Sequence, residues 1–333
     1  MTTSIPTFLN DLRFGEPDIH NNLALVPILR DKHERLNYIT LEEGLATKLL
    51  EVQELEDGAS VNDILLRNKS DQLALLFEGE EFLGAKQNRV LNVSILAKAK
   101  SKQILPVSCV EAGRWHHEHH DPDQQRFKVA NRMHYARGRA SENSAVSMNL
   151  DTQRAYRGDQ SSVWHDIEQK SDRLNVHSPT SASDAMYVNT KASIDSYLRT
   201  FTHTPSQVGS IFVINGEVAG LEIFASAKTH KQLLPRLIRS YALDAIDADG
   251  QRAEAEDASG KSRSEHIGRT AEAFVKRLEN SWIKQFDGLC LGQNIRFKDS
   301  RITGGALVHL DRVLHLCAFA TQDPDDAPIE LHY

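Results

Sequence analysis

The stretch Leu73–Trp115 reads LALLFEGEEFLGAKQNRVLNVSILAKAKSKQILPVSCVEAGRW and organises the rest of the chain. Its first five residues, 73–77, are all apolar, which is typical of a buried strand. Gly79 follows within Glu-Gly-Glu-Glu, a composition that favours a tight turn. Residues 90–96 and 104–110 form two more apolar runs. The stretch therefore predicts three successive strands with polar residues at their ends.

Charged and amide side chains are concentrated at the ends of these predicted strands. A rigid scaffold often presents its chemical groups at such positions. Neighbouring antiparallel strands lie about 5 Å apart, so side chains at their ends can converge on one ligand. We expect two catalytic residues, Glu80 and Glu111, as acid or base. The expected ligand-binding residues are Lys86, Gln87, Asn88, Arg89 and Arg114.

The residue types in this group suit an anionic ligand. The two arginines offer planar forks for phosphate or carboxylate, and Lys86 offers a point charge. The amides of Gln87 and Asn88 can hydrogen-bond a base or a ribose. Glu111 has an alternative role, because it can pair with Arg114 three residues along the chain. The alternative for the whole stretch is a hairpin with solvated charges at its turn.

The same stretch resembles the signature of a little-characterised prokaryotic domain family. The residues that carry the resemblance are Gly79–Glu81, Gly84–Arg89, Asn92, Pro106–Glu111 and Gly113–Trp115. Segments near residues 208–220, 240–245 and 315–319 extend it. The family is named for its association with ADP-ribosylglycohydrolases and the rhodanese–phosphatase superfamily. The resemblance implies a link to ADP-ribose or nucleotide processing and brings no established catalytic residues with it.

Composition and charge narrow the class of protein. The chain has 333 residues, of which 40% are hydrophobic and 26% charged, as in soluble globular proteins. Its net charge of −7 argues against nucleic acid as a partner. No signal peptide and no apolar run long enough for a membrane span is visible, so we expect a cytoplasmic protein without a membrane partner. The three separated cysteines indicate neither a disulfide framework nor a zinc site.

A histidine-rich segment follows the organising stretch. His116, His117, His119 and His120 stand close to three acidic residues, so the segment is either a transition-metal site or a solvated loop. Adjacent histidines do not easily converge on one ion with good geometry. We therefore predict that these histidines face solvent and that the protein binds no essential metal.

The order of predicted elements indicates an α+β fold. Hairpins outnumber strand–helix–strand units, which favours a mixed, mostly antiparallel sheet with packed helices in a single compact unit. Within the chain we expect a loose lead-in at residues 1–21, one domain at 22–322 and a tail at 323–333. Mobile loops are expected at about 116–126 and 249–265. Residues 73–110 and 208–224 are expected to share one core, because a separate hairpin would be marginal.

Three segments share a pattern of apolar strand, polar turn and returning strand. They begin at residues 75, 212 and 307, and the second has Asn215-Gly216 at its turn, the strongest short signal for a hairpin. If this echo is a true repeat, Lys86, Glu222 and His315 occupy comparable positions.

Two functions fit these observations. The first is an enzyme that acts on ADP-ribose or a related nucleotide in a pocket built by the organising stretch. The second is a non-catalytic module that senses or sequesters such a ligand and acts through a protein partner or as a homo-oligomer. The nucleotide and protease motifs in common use do not occur, so whether there is a reaction, and with which cofactor, stays open at this point.

Overall fold

The computed structural model describes residues 5–31, 36–55, 62–113, 126–249 and 260–321, and for residues 260–262 it describes the backbone only. Arg114, the four histidines of 116–120 and the tail at 323–333 lie outside these ranges. The helices are Ile5–Asn10 (α1), Leu41–Ala46 (α2), Ala136–Gln153 (α3), Gln160–Arg173 (α4), Asp184–Asn189 (α5), Lys191–Thr200 (α6), Ala227–Asp249 (α7) and Gly260–Glu279 (α8).

The strands of the first half of the chain are Arg13–Phe14 (β1), Asp18–His20 (β2), Leu23–Leu29 (β3), Tyr38–Thr40 (β4), Leu50–Glu54 (β5), Asp63–Asn68 (β6), Leu73–Leu76 (β7), Glu80–Gly84 (β8), Arg89–Leu91 (β9), Ile95–Ala97 (β10), Ser101–Cys109 (β11) and Phe127–Met133 (β12). Those of the second half are Gln207–Ile214 (β13), Glu217–Phe224 (β14), Trp282–Asp287 (β15), Gln293–Asp299 (β16), Ile302–His309 (β17) and Arg312–Ala320 (β18).

The largest sheet is antiparallel throughout and has nine strands, in the order β1-β3-β13-β14-β18-β17-β16-β15 with β2 also on β3. Helices α1 and α8 cover one face, and α3 and α7 cover the other. The turn between β13 and β14 has positive φ at both Asn215 (51°) and Gly216 (85°). This is the backbone that an Asn-Gly hairpin requires, so the predicted hairpin is confirmed.

The organising stretch divides between the two smaller sheets. Strand β7 pairs antiparallel with β10 and parallel with β4. Strand β8 belongs to the six-stranded sheet, in the order β12-β8-β9-β11-β6-β5. Residues 95–96 of the second predicted strand pair with residues 75–76 of the first, whereas residues 90–91 lie in β9. The strand that returns after Gly79 does not pair with β7, so the turn at Gly79 leads from one sheet into the next. The physical reason is that both sides of β7 are taken by strands distant in sequence.

The expectation of one shared core is confirmed. Phe77 and Val110 of the organising stretch lie in the same buried cluster as Phe212 and Phe224 of the β13–β14 hairpin. Strands and helices are mixed and the sheets are mostly antiparallel, so the fold is α+β in a single compact unit, as predicted.

Two segments that were expected to be loose or mobile contain regular structure. Residues 5–20 of the expected lead-in form α1, β1 and β2, and Phe8 and Leu9 are buried with residues of α8. Residues 260–265 of the second expected loop form the start of α8. Among the described residues, no helix combines the length and apolar character needed to cross a membrane.

Candidate functional site

A groove of about 1620 Å³ runs between α3, the start of α4, the β13–β14 turn, the end of α7 and one side of α8. Its wall on the α3 side consists mainly of small residues, Ala136, Ala140, Ser141, Ser144 and Ala145. Small side chains on a helix leave room for a ligand to approach the backbone. The groove is therefore a candidate ligand-binding site.

Glu142 is the titratable group at this wall that stands out. It lies on α3, lines the groove and is 7% exposed. Burial raises the pKa of its carboxyl to about 7, with smaller contributions from the charges of Glu78 and Asp159. The Ser108 hydroxyl, 2.8 Å from Oε2, acts in the opposite direction. A carboxyl that is half protonated near neutrality can donate or accept a proton.

Gly158 packs directly against the Glu142 carboxylate. A Cβ added to Gly158 would lie 2.1 Å from Glu142 Oε2 and 2.5 Å from Oε1. Any larger residue at position 158 would therefore displace the carboxylate. The segment between α3 and α4 is thus shaped around this one side chain.

Glu78 forms a second, deeper carboxylate next to Glu142. Its Oε1 accepts a hydrogen bond from Asn143 Nδ2 at 2.7 Å, and its Oε2 lies 3.7 Å from Arg296 Nη1. Asn143 in turn accepts from the Thr303 hydroxyl at 2.9 Å. The turn after β7, α3 and the nine-stranded sheet meet at this point, which sets the position of α3 and hence of Glu142.

A buried ion pair on the other side of the same turn connects α3 to β14. Arg139 Nη1 donates to Glu222 Oε1 at 2.6 Å, and the Tyr241 hydroxyl donates to the same oxygen at 3.1 Å. Burial by itself would raise the pKa of Glu222, but the charges of Arg139 and His315 hold it below its usual value. Gly79 makes room for the guanidinium, because a Cβ there would lie 2.3 Å from Arg139 Nε.

A serine, a histidine and a carboxylate form a row at this pair. Ser94 Oγ lies 2.7 Å from His315 Nδ1, and His315 Nε2 lies 3.3 Å from Glu222 Oε2. These residues are at most 6% exposed and do not line the groove. The row resembles a hydrolase triad in its order of groups, but it is enclosed in the core. Of the three residues expected at comparable positions, Glu222 and His315 are in contact. Lys86 is exposed in the turn between β8 and β9.

The sequence-predicted site residues fall into separate places. Asn88 N–H donates to Glu111 Oε2 at 3.2 Å, and the Thr180 hydroxyl donates to Oε1 at 2.9 Å. Arg89 Nη1 donates to Gln87 Oε1 at 2.7 Å. Gln87, Asn88, Arg89 and Glu111 are thus brought together, as buried groups, where β9 begins and β11 ends.

The other predicted residues have different surroundings. Glu80 is fully buried and accepts hydrogen bonds from Phe77 N at 2.9 Å and from Arg236 Nη1 at 2.6 Å. The Lys86 side chain is exposed, and its backbone N–H donates to Glu54. Arg114 lies outside the described residues. None of the described members of the predicted set lines the groove.

Strand β11 connects the predicted group to the groove. The Gln160 side chain, which lines the groove, hydrogen-bonds both the N–H and the C=O of Cys109. The preceding residue, Ser108, bonds Glu142. Burial raises the pKa of the Cys109 thiol to about 11, so this cysteine is protonated at neutral pH and is not an activated nucleophile.

Neither Glu142 nor Gly158 is among the residues that the sequence predicts for the site. Helix α3 has no apolar stripe. Most of its buried face carries polar and small residues at helical spacing, namely Gly138, Arg139, Glu142 and Asn143. A polar stripe of period 3.6 was the available signal. Within the described ranges, no cluster of His, Cys, Asp or Glu has the geometry of a metal site.

Comparison with known families gives one finding. The family model described as the ARG and Rhodanese-Phosphatase-superfamily-associated Protein domain matches residues 11–319. Comparison with the curated proteins and with the solved structures gave no match.

Proposed function

The chain belongs to the family of the ARG and Rhodanese-Phosphatase-superfamily-associated Protein domain, and from that premise we propose that it binds ADP-ribose or a related nucleotide in the groove and that Glu142 exchanges a proton with this ligand. The family is associated with ADP-ribosylglycohydrolase and rhodanese–phosphatase proteins. That association supports a small anionic ligand of this class.

One observation carries the proposal: a buried carboxyl with a pKa of about 7 forms part of the wall of a large groove. A general acid or base works best when its pKa lies near the working pH, because both protonation states are then populated. Strongly shifted carboxyl pKa values are concentrated at functional sites. Glu142 is the group we propose for proton transfer.

The arginines that line the groove support an anionic ligand. Three exposed arginines line it, Arg137, Arg277 and Arg301. Arg277 also pairs with Asp299. Five acidic residues line the groove as well. Asp244 and Asp247 accept from the buried Lys170 ammonium at 2.6 and 2.8 Å. Asp159 caps α4, and the other two are Glu142 and Glu217. The guanidinium groups are suited to phosphate oxygens, which they can bind through two parallel hydrogen bonds.

The size of the groove supports a ligand larger than a mononucleotide. Pockets for drug-sized ligands occupy about 300–1,000 Å³, and this groove measures about 1620 Å³. A dinucleotide or an ADP-ribose moiety attached to a further group therefore has room to lie along it.

The predicted group at β9 and β11 is a second candidate position for the ligand. Gln87, Asn88, Arg89 and Glu111 bring acid, amide and guanidinium together beside the strand that carries Ser108. If variants in the groove leave ligand binding unchanged, we propose that the ligand binds at this group.

The test is to incubate the protein with ADP-ribose, NAD and a panel of nucleotides, and to follow both turnover by chromatography and the melting temperature. We expect at least one compound to be consumed by the wild type. Glu142→Gln should retain the ligand-induced rise in melting temperature and lose turnover. Glu168→Gln, an exposed acid on α4 outside the groove, is the matched control and should behave as wild type.

A ligand that raises the melting temperature without being consumed would identify a binding module instead. One observation favours that second function: Glu80 and Glu111, the acids expected to be catalytic, are both held by hydrogen bonds within the protein. If no compound of this class binds, the proposed function fails.

A further inference from the structure

Strand β15 forms one end of the nine-stranded sheet. Its inner side pairs with β16 over residues 282–287, and no strand of the described residues pairs with its outer side. The opposite end of the sheet is formed by β1, which has only two residues. Strand β15 therefore offers the longer open edge, with backbone donors and acceptors available to another strand.

The alternation of an antiparallel pair tells which backbone groups of β15 face outward. Beyond the end of the strand, Gly288 N–H donates to Gly292 C=O across the β15–β16 hairpin at 3.0 Å. Even-numbered residues therefore point their N–H and C=O groups inward to β16, and odd-numbered residues point outward. The Asp287 C=O points outward as this alternation requires, because it accepts a hydrogen bond from the Tyr156 hydroxyl and not from β16. It follows that Ile283 and Gln285 present their N–H and C=O groups at the open edge.

The side chains at the start of β15 are exposed and apolar. Trp282 is 57% exposed and Ile283 is 37% exposed. Lys284 Nζ lies 5.6 Å from the centroid of the Trp282 ring and pairs with Asp151 of α3. An edge strand with large exposed apolar residues is a site of strand addition or of aggregation unless a partner covers it.

We propose that β15 pairs antiparallel with β15 of a second copy of this chain, about a two-fold axis at Ile283, to form a homodimer with one continuous sheet. In this register, Ile283 exchanges both backbone hydrogen bonds with the partner's Ile283. Trp282 lies opposite the partner's Lys284, an arrangement that allows a cation–π contact in each half. Ser281 lies opposite the partner's Gln285 and can offer it only its C=O, because its N–H donates to Leu278 C=O at 3.1 Å.

The other registers of such a pair are less complementary. A two-fold axis perpendicular to the sheet sets residues of the same parity opposite one another, because opposed side chains share a face. An axis at Lys284 would oppose two lysines. An axis at Gln285 would oppose Ile283 to the partner's Asp287, whose carbonyl is already bonded to Tyr156. The register at Ile283 is the one that matches apolar with apolar and cation with ring.

The dimer should be weak and concentration-dependent. One short strand pair buries less surface than the roughly 1,200–2,000 Å² of a stable interface. Sedimentation equilibrium of the full-length protein over a roughly hundredfold range of concentration should show monomer at the low end and dimer at the high end.

The two-fold axis predicts a charge-swap result that no asymmetric contact would give. Ile283→Lys alone and Ile283→Asp alone should each raise the dimer dissociation constant about tenfold or more, because like charges then face each other. An equimolar mixture of the two variants should restore dimerisation, since lysine then faces aspartate. Val188→Lys, which changes an exposed apolar residue on α5, is the matched control and should dimerise as wild type.

Circular dichroism and melting temperature establish that each variant is folded. A wild type that stays monomeric throughout the range would overturn the proposal and would leave the edge to a strand of a different protein. A dimer that survives both Ile283 variants would also overturn it, because the contact would then lie elsewhere.

Discussion

Replacing Gly79 by alanine is the sharpest test of the buried network at the turn after β7. Gly79 has φ of +85°, and a Cβ there would lie 2.3 Å from Arg139 Nε and 2.6 Å from Arg139 Cδ. The guanidinium would have to move, and its 2.6 Å hydrogen bond to Glu222 would be lost. Breaking a buried ion pair costs about 3–5 kcal/mol, and the left-handed backbone adds about 1–2 kcal/mol for alanine. We expect Gly79→Ala to lower the free energy of unfolding by about 4 kcal/mol or more.

Gly216 provides a matched control for this variant. It has the same φ of +85°, but the nearest atom to an added Cβ is His266 Nε2 at 3.8 Å, an ordinary contact. Gly216→Ala should therefore show the backbone cost alone, about 1–2 kcal/mol. Urea denaturation at neutral pH measures both variants. Equal losses in the two variants would refute the reasoning, since the loss at position 79 would then come from the backbone and not from Arg139.

Four further predictions test other parts of the molecule. The pKa of Glu142 is raised from 4.5 to about 7, so between these values the folded state binds a proton that the unfolded state releases, and wild-type stability falls as the pH rises. Glu142→Gln should abolish this fall, which amounts to up to about 3 kcal/mol. If urea denaturation gives the variant and the wild type the same dependence of stability on pH, the prediction is wrong. Arg236→Ala leaves the carboxylate of Glu80 buried without its ion-pair partner and should cost about 3–5 kcal/mol of stability, read from the shift of the urea midpoint; a loss below about 1 kcal/mol would mean that water takes the place of the guanidinium. Lys86→Ala should leave stability within about 0.5 kcal/mol of wild type because the side chain is exposed. If Lys86 contacts the anion, titration calorimetry should show ligand binding weakened by about 1.5–3 kcal/mol, and an unchanged affinity would mean that Lys86 is not part of the site. If Glu111 is the base, Glu111→Gln should keep the affinity and lower turnover.

Local features were predictable from neighbouring residues. The capping box of α2 is present, with the Thr40 side chain accepting from Glu43 N–H and Glu43 accepting from Thr40 N–H. The Asn215–Gly216 hairpin and the turn at Gly79 also occur where the sequence indicates. Each of these depends on contacts between residues at most a few positions apart, which the chain carries wherever it folds.

The candidate site was predictable only in part. The sequence indicates that acids, amides and cations gather at the ends of the strands of residues 73–115, and Asn88 and Glu111 do meet there. It does not indicate that Glu142, more than thirty residues away from Ser108 along the chain, is buried in the groove wall and has a raised pKa there. Burial sets that pKa, and burial depends on elements that approach from distant parts of the chain.

By itself, the sequence determined the α+β class, the family and the local turns, because apolar periodicity and turn residues act over short distances. The tertiary structure decided which strands pair. Strand β7 lies between β4 and β10, so the turn at Gly79 passes from one sheet to the next and brings Glu78 beside Asn143 and Arg296. Strand partners are chosen by burial of whole faces, not by adjacency along the chain. For the same reason, the central position of α3 in the candidate site follows only from the tertiary structure, in which Asn143 bonds Glu78 and Arg139 bonds Glu222.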